Sequence, residues 1–239
     1  NNGNGTFTDV SRESGILQRP AGNGLGVVFG DYDNDGWIDI YVANDSTPNF
    51  LFHNKGGGKF EEVGFAAGVA VGHDGKPQAG MGTDMGDIDG DGLLDLFVTN
   101  LIMETHTLYR NLGKGLFSDV TFTSGVAQAT LPFVGFGTAF LDYDNDTDLD
   151  LGIVNGDVID NVALFRDSTC YEQRKLLLQN DGKGKFKDVA PASGPGFAVK
   201  RAGRSLSAAD FDNDGDLDLL IGNVGQAAEL LRNDGGNAA

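Results

Sequence analysis

The chain has 239 residues with a formal net charge of −18, and its 35 acidic residues divide into 29 Asp and six Glu. Asp disfavours helices where Glu tolerates them. This skew, beside 37 Gly, therefore points to turns and short-armed oxygen ligands rather than to a solvated acidic surface. Neither a basic stripe nor a polybasic patch is present, which argues against nucleic acid and anionic membrane as partners.

A hydrophobic fraction of 40%, with 16 Phe, is enough for a sizeable core. No uninterrupted apolar run is long enough to span a bilayer, and no basic-then-apolar leader is recognisable at Asn1. Cys170 is the sole cysteine, which excludes an intrachain disulfide and a cysteine-built zinc site.

In chain order, the first predicted strand is FTDV at residues 7–10, with Gly15 eight residues after Phe7. A Gly-rich extended stretch, GLGVVFG from Gly24, leads into the acidic loop DYDNDGWID at residues 31–39 and on into an apolar strand over 38–42. A strand over 51–54 and the strand FEEV from Phe60 follow, with Gly68 again eight residues after its Phe. The second unit repeats the order: GMGTDMG from Gly80, DIDGDGLLD at 87–95, a strand over 108–111, an N-x-G-x-G turn over 111–115, then FSDV from Phe117 and Gly125. The third runs GFGTAFL from Gly135, DYDNDTDLD at 142–150, an extended loop over 155–175, a strand over 177–180, FKDV from Phe186 and Gly194. The fourth has RSLSAA after Gly203, DFDNDGDLD at 210–218, a strand over 217–221 and the closing LLRNDGGN from Leu230.

Two interlocked patterns recurring four times are a repeat architecture. Four short strands per unit of roughly 50 residues is the content of one propeller blade, and no segment holds a 3.6-residue apolar period. The expected fold is all-β, a single β-propeller domain over 1–239 with four blades. The N-terminal strand either completes the last blade and closes the ring, or the four blades belong to a larger propeller or assembly. The Gly-x-Gly pairs (Gly24 and Gly26, Gly80 and Gly82, Gly135 and Gly137) suit close packing near the axis rather than a phosphate cradle, since acidic residues follow them.

Crowding aspartates at loop positions 1, 3, 5 and 9 needs compensation, because neighbouring carboxylates resist joint ionisation. A hard divalent cation reverses that repulsion, and calcium accepts about six to eight oxygens from carboxylates and a backbone carbonyl. The expected ligands are Asp31, Asp33, Asp35 and Asp39 with the Trp37 carbonyl, and Asp87, Asp89, Asp91 and Asp95 with that of Leu93. The third and fourth sets are Asp142, Asp144, Asp146 and Asp150 with Asp148, and Asp210, Asp212, Asp214 and Asp218 with Asp216. That makes about four calcium sites. Magnesium prefers fewer protein ligands, and zinc or copper would want His or Cys, whereas His53, His73 and His106 stand outside the loops. His73 and His106 read as solvated loop residues. An EF-hand would need a bidentate Glu at position 12, where Val42, Val98, Ile153 and Ile221 stand. Glycine at position 6 (Gly36, Gly92, Gly215) permits a sharp bend; Thr147 in its place predicts strain and a weaker third site. The sixteen loop carboxylates with Asp148 and Asp216 equal the whole formal excess of 18, so the rest of the chain is charge-neutral.

On these residues the chain resembles the FG-GAP/VCBS-type calcium-binding β-propeller repeats, and more closely the repeat region of ASPIC/UnbV (cartilage acidic protein-like) proteins. GDYDNDGWIDIYVAN over 30–44, the segment 51–63 and LLRNDGGN over 230–237 carry the likeness. The family's propellers are usually seven-bladed, whereas four units are counted here. The resemblance implies a secreted, calcium-dependent scaffold or adhesion module and supplies no catalytic residues. The expected function is thus an extracellular structural or interaction module, not an enzyme, whose partner is an unidentified protein or glycan. The alternative is self-association, as the protomer of an extracellular filament or surface layer assembled by strand exchange between chains.

Overall fold

A computed structural model describes residues 1–18 and 20–235; Gly236 and Asn237 of the closing motif lie outside the described residues. The chain is a four-bladed β-propeller array of antiparallel sheets, and strand order within each sheet follows the chain. Blade 1 is β1 (Gly24–Gly30), β2 (Asp39–Asn44), β3 (Phe50–Asn54) and β4 (Phe60–Glu62). Blade 2 is β5 (Thr83–Gly86), β6 (Asp95–Val98), β7 (Thr107–Asn111) and β8 (Phe117–Asp119). Blade 3 is β9 (Gly135–Leu141), β10 (Asp150–Asn155), β11 (Leu176–Asn180) and β12 (Phe186–Asp188). Among the described residues blade 4 has three strands, β13 (Gly203–Ala209), β14 (Asp218–Asn223) and β15 (Glu229–Leu231). Helices are confined to single turns such as Gly64–Ala67 and Val126–Thr130, which follow the F-x-D-V strands.

Alternating side chains place the core between successive sheets. Tyr41, Leu51, Leu96 and Tyr109 pack between blades 1 and 2; Phe97, Leu108, Leu151 and Leu176 between blades 2 and 3; Leu141, Leu177 and Leu219 between blades 3 and 4. The inner strands β1, β5, β9 and β13 also meet in succession. At each junction a side chain is sterically forbidden. A Cβ on Gly26 would strike the Met81 carbonyl, one on Gly82 the Phe136 carbonyl, and one on Gly137 the backbone of Ser205 and Leu206. The aligned position in blade 4 is Ser205, which is exposed. The predicted role of these glycines is therefore the observed one.

Polar staples join the same neighbours. The side-chain amide of Asn111 on β7 donates to the Leu94 carbonyl in its own blade (3.0 Å) and to Tyr32 in the blade before (2.8 Å). Asn180 repeats this with Leu149 (3.0 Å) and Ile88 (2.8 Å), and Asn233 donates to Tyr143 at 2.7 Å. Each such bond contributes about 0.5–1.5 kcal/mol net, so the staples set register more than they supply stability.

Closure by the N-terminal strand is not what the structure shows. Residues 7–10 lie outside every sheet and Phe7 is 80% exposed, so FTDV does not complete blade 4. The physical reason is position. β1 and β13 do not pack as the three successive inner-strand pairs do, so blades 4 and 1 are not joined at their inner strands. That segment instead docks on blade 1: Gly15 backs onto the Phe60 carbonyl as Gly68 backs onto Phe117 and Gly125 onto Phe186. It occupies the place of the tail of a blade preceding the first. The sheet face of blade 1 turned away from blade 2 accordingly leaves Leu25, Val27 and Phe29 exposed.

The stretch 155–175 is the expected loop, with one 3-10 turn at Val162–Leu164 and a bridge between Gly156 and Glu172. At its end Lys175, only 3% exposed, pairs with Glu229 at 2.9 Å and ties blade 3 to blade 4. His106 corrects the reading of a solvated loop residue. It precedes β7 but is fully buried beside the backbone of Gly135, and burial lowers its pKa to about 3, keeping the ring neutral. Its Nδ1 accepts from the Asn100 N–H at 3.1 Å. His73 is exposed in its loop, as expected.

Candidate metal centres

Each acidic loop connects the first and second strands of its blade, and all four fold alike. The position 1 aspartate receives the N–H groups of positions 5 and 6: Asp31 from Asp35 (3.1 Å) and Gly36 (2.9 Å), Asp142 from Asp146 (3.1 Å) and Thr147 (2.9 Å). Asp87 and Asp210 do the same in their loops. The position 5 aspartate accepts from the N–H of position 7, that is Trp37, Leu93, Asp148 and Asp216. The position 9 aspartate opens the second strand and is buried. Its two oxygens take the N–H of position 2 and the N–H of the Asn on the third strand, as Asp95 does from Ile88 (3.0 Å) and Asn111 (2.7 Å). Asp39, Asp150 and Asp218 match it.

Left-handed backbone at position 4 (Asn34, Gly90, Asn145, Asn213) and position 6 makes the tight turn. Thr147 sits at φ 77° where Gly36, Gly92 and Gly215 have 89°, 84° and 96°. A β-branched residue there is strained, as the sequence predicts.

The folding brings three carboxylate oxygens within 4.8 Å of one another in every loop: Asp31, Asp33 and Asp35; Asp87, Asp89 and Asp95; Asp142, Asp144 and Asp146; Asp210, Asp212 and Asp218. In three loops the inner oxygen of position 3, Oδ1 of Asp33, Asp89 and Asp144, is buried with no hydrogen-bond donor. A buried carboxylate oxygen without a donor is costly unless a cation faces it. The charge is felt electrostatically. Desolvation pushes the Asp95 and Asp150 carboxyls up to about 7, with neighbouring aspartates adding to the rise, and raises Asp39 in the same way. The side chain of Asp148, partly buried, adds its charge to the third loop, while that of Asp216 accepts from Asn145 of the blade before at 2.7 Å. Asn34 likewise donates to the Gly92 carbonyl at 3.0 Å, so neighbouring loops are linked.

The FG-GAP-like repeat pattern matches residues 1–42, 31–98, 87–153 and 154–221, two of its segments opening on the first aspartate of a loop. The chain belongs to the FG-GAP-like repeat family. Cartilage acidic protein 1 of Mus musculus is 30% identical over 228 residues, covering 93% of this chain and 32% of that protein. Its Homo sapiens counterpart is 29% identical over 228 residues, covering 93% and 31%. The chain spans about a third of the length of the curated relatives it matches. Among solved structures, an Agrocybe aegerita lectin described as recognising non-reducing terminal N-acetylglucosamine covers 86% of this chain and 51% of its own, at 17% identity and a TM-score of 0.44. No helix among the described residues is long and apolar enough to cross a membrane.

One set of residues in these FG-GAP loops escapes the sequence reading. His53, Arg110, Gln179 and Arg232 each precede the Asn of the third strand or its equivalent, and the first three contact the position 3 aspartate of their loops, while Arg232 pairs with Asp234. The available signal was their constant place in the L-x-x-N motif; their varied identity hid it.

Proposed function

We propose that the chain is an extracellular calcium-binding FG-GAP propeller segment, a structural or interaction module in which calcium holds the blade loops in register. The observation that carries this reading is the donorless inner oxygen of Asp33, Asp89 and Asp144, recurring at one loop position beside two further carboxylates. The donor set is all oxygen apart from His53, which suits a hard cation. Calcium tolerates such irregular cages, whereas magnesium demands a near-ideal octahedron and keeps its waters. Extracellular calcium, at millimolar levels, would fill sites of modest affinity, which favours secretion. The carboxylates lie at loop tips and are tied to backbone amides, an arrangement that supports binding over catalysis, with a protein or glycan as partner.

Calorimetric titration of calcium into the metal-stripped chain should show about four equivalents bound, the loop of Thr147 weakest. Thr147→Gly should relieve the left-handed strain, tighten that site and stabilise the protein by about 1 kcal/mol. No uptake of calcium overturns the reading.

A second reading, self-association by strand exchange, is favoured by one observation. Residues 7–10 pair with no sheet while blade 4 has three strands among the described residues. The FTDV strand of one chain would complete the fourth sheet of another, a head-to-tail contact that need not close. Light scattering on the eluting chain should then give masses rising with concentration. A monomer at every concentration excludes it.

A further inference from the structure

The four loops share their aspartates and their backbone, but not the side chain that leans on position 3. In loop 1 the His53 Nδ1 lies 3.4 Å from Asp33 and 3.4 Å from Asp39. In loop 2 the Arg110 guanidinium pairs with Asp89 and reaches Asp91 at 3.7 Å. In loop 3 Gln179 Nε2 donates to Asp144 at 2.8 Å. In loop 4 Arg232 pairs instead with Asp234. Loop 2 therefore carries a resident cation on its position 3 aspartate where loop 3 carries a neutral amide.

The resident side chain does not complete the site. Arg110 takes Oδ2 of Asp89, and Gln179 takes Oδ2 of Asp144, yet Oδ1 of each is buried without a donor. The Asp89 side chain is only 10% exposed, so water cannot freely serve that oxygen. A cation entering loop 2 thus meets a free inner oxygen and a competitor on the outer one.

We propose that the residue at 53, 110 and 179 sets the divalent-cation affinity of its own loop, with Arg110 weakening loop 2 while holding it folded without metal. This rests on the calcium reading above. A guanidinium a few ångströms from a divalent ion repels it, and the half-exposed Arg110 must surrender its ion pair to move aside. Gln179 exerts no such repulsion, so in loop 3 the favourable charge balance offsets only part of the strain of Thr147. The two effects are separable because Gln179 lies on β11 and Thr147 in the loop between β9 and β10.

The test is calorimetric titration of calcium chloride into the full chain carrying Arg110→Gln or Gln179→Arg, paired with melts in excess EDTA. Each variant installs the residue found at the same place in another blade, which guards against misfolding. Arg110→Gln should tighten one site about tenfold and lower the metal-free melting temperature. Gln179→Arg should weaken one site by about the same factor and raise that temperature. If the original chain binds calcium and both variants give its isotherm, the proposal is overturned while the calcium reading stands. If the original chain binds no calcium, both fall. Should Arg110→Gln fail to fold, Gln179→Arg alone decides the matter.

Discussion

Excess EDTA should lower the melting temperature of the chain by about 20 °C or more relative to millimolar calcium. A ligand that binds only the folded state stabilises it by about 2.7 kcal/mol per site when present at a hundredfold over Kd. Four sites would supply about 10 kcal/mol, comparable with the entire stability of an ordinary domain. The structure shows where the loss would be felt. Each loop crowds three carboxylate oxygens within 4.8 Å, and the position 9 aspartates are buried at the start of the second strand in every blade. Without a cation these charges repel, and the repulsion acts on the turn joining the two innermost strands. Neighbouring loops are also linked, through Asn34 to Gly92 and Asn145 to Asp216, so loosening one loop loosens the next blade. Circular dichroism melts with and without chelator measure the effect, and magnesium in place of calcium should restore only part of it. An unchanged melt would remove calcium from the account altogether.

The repeat, the blade content and the clustering of the aspartates were legible because each depends on residues close together in the chain. The odd-numbered spacing of Asp87, Asp89 and Asp91 and the glycine or Thr147 at position 6 encode one local turn, and the turn forms as read. The Gly-x-Gly pairs were legible for the same reason. What escaped depends on neighbours distant in sequence. Arg110 meets Asp89 only because β6 pairs with β7, which sets the L-x-x-N motif beside the loop. His106 looks like a loop residue, and its burial comes from Gly135 on the next blade. Closure failed for a similar cause. FTDV has the pattern of an outer strand, but whether it reaches β15 depends on how far four blades carry the chain around, which no local pattern records.

That dependence on blade-to-blade geometry is sharpest at Gly82, where the neighbouring backbone approaches more closely than at any other described glycine. Gly82→Ala should destabilise the protein by about 3 kcal/mol, a fall in melting temperature of about 6–12 °C for a chain of this size. The added methyl would land on the Phe136 carbonyl, and a backbone oxygen held in the paired strand β9 cannot rotate away as a flexible side chain can. Relief requires blade 2 to move off blade 3, opening the contact that buries Phe97 and Leu151. The same strand is anchored by the Gly82 N–H, which donates to Thr99 Oγ1 at 2.7 Å, while the Thr99 hydroxyl donates to the Phe136 carbonyl at 2.8 Å, so the tilt would also break this relay. The internal control is the aligned position in blade 4, where Ser205 already carries an exposed side chain. Ser205→Ala should change stability by less than about 0.5 kcal/mol. Thermal melts of both variants in saturating calcium isolate the packing term from the metal term. Equal stabilities for the two variants would mean that the inner strands do not approach as closely as Gly26, Gly82 and Gly137 imply.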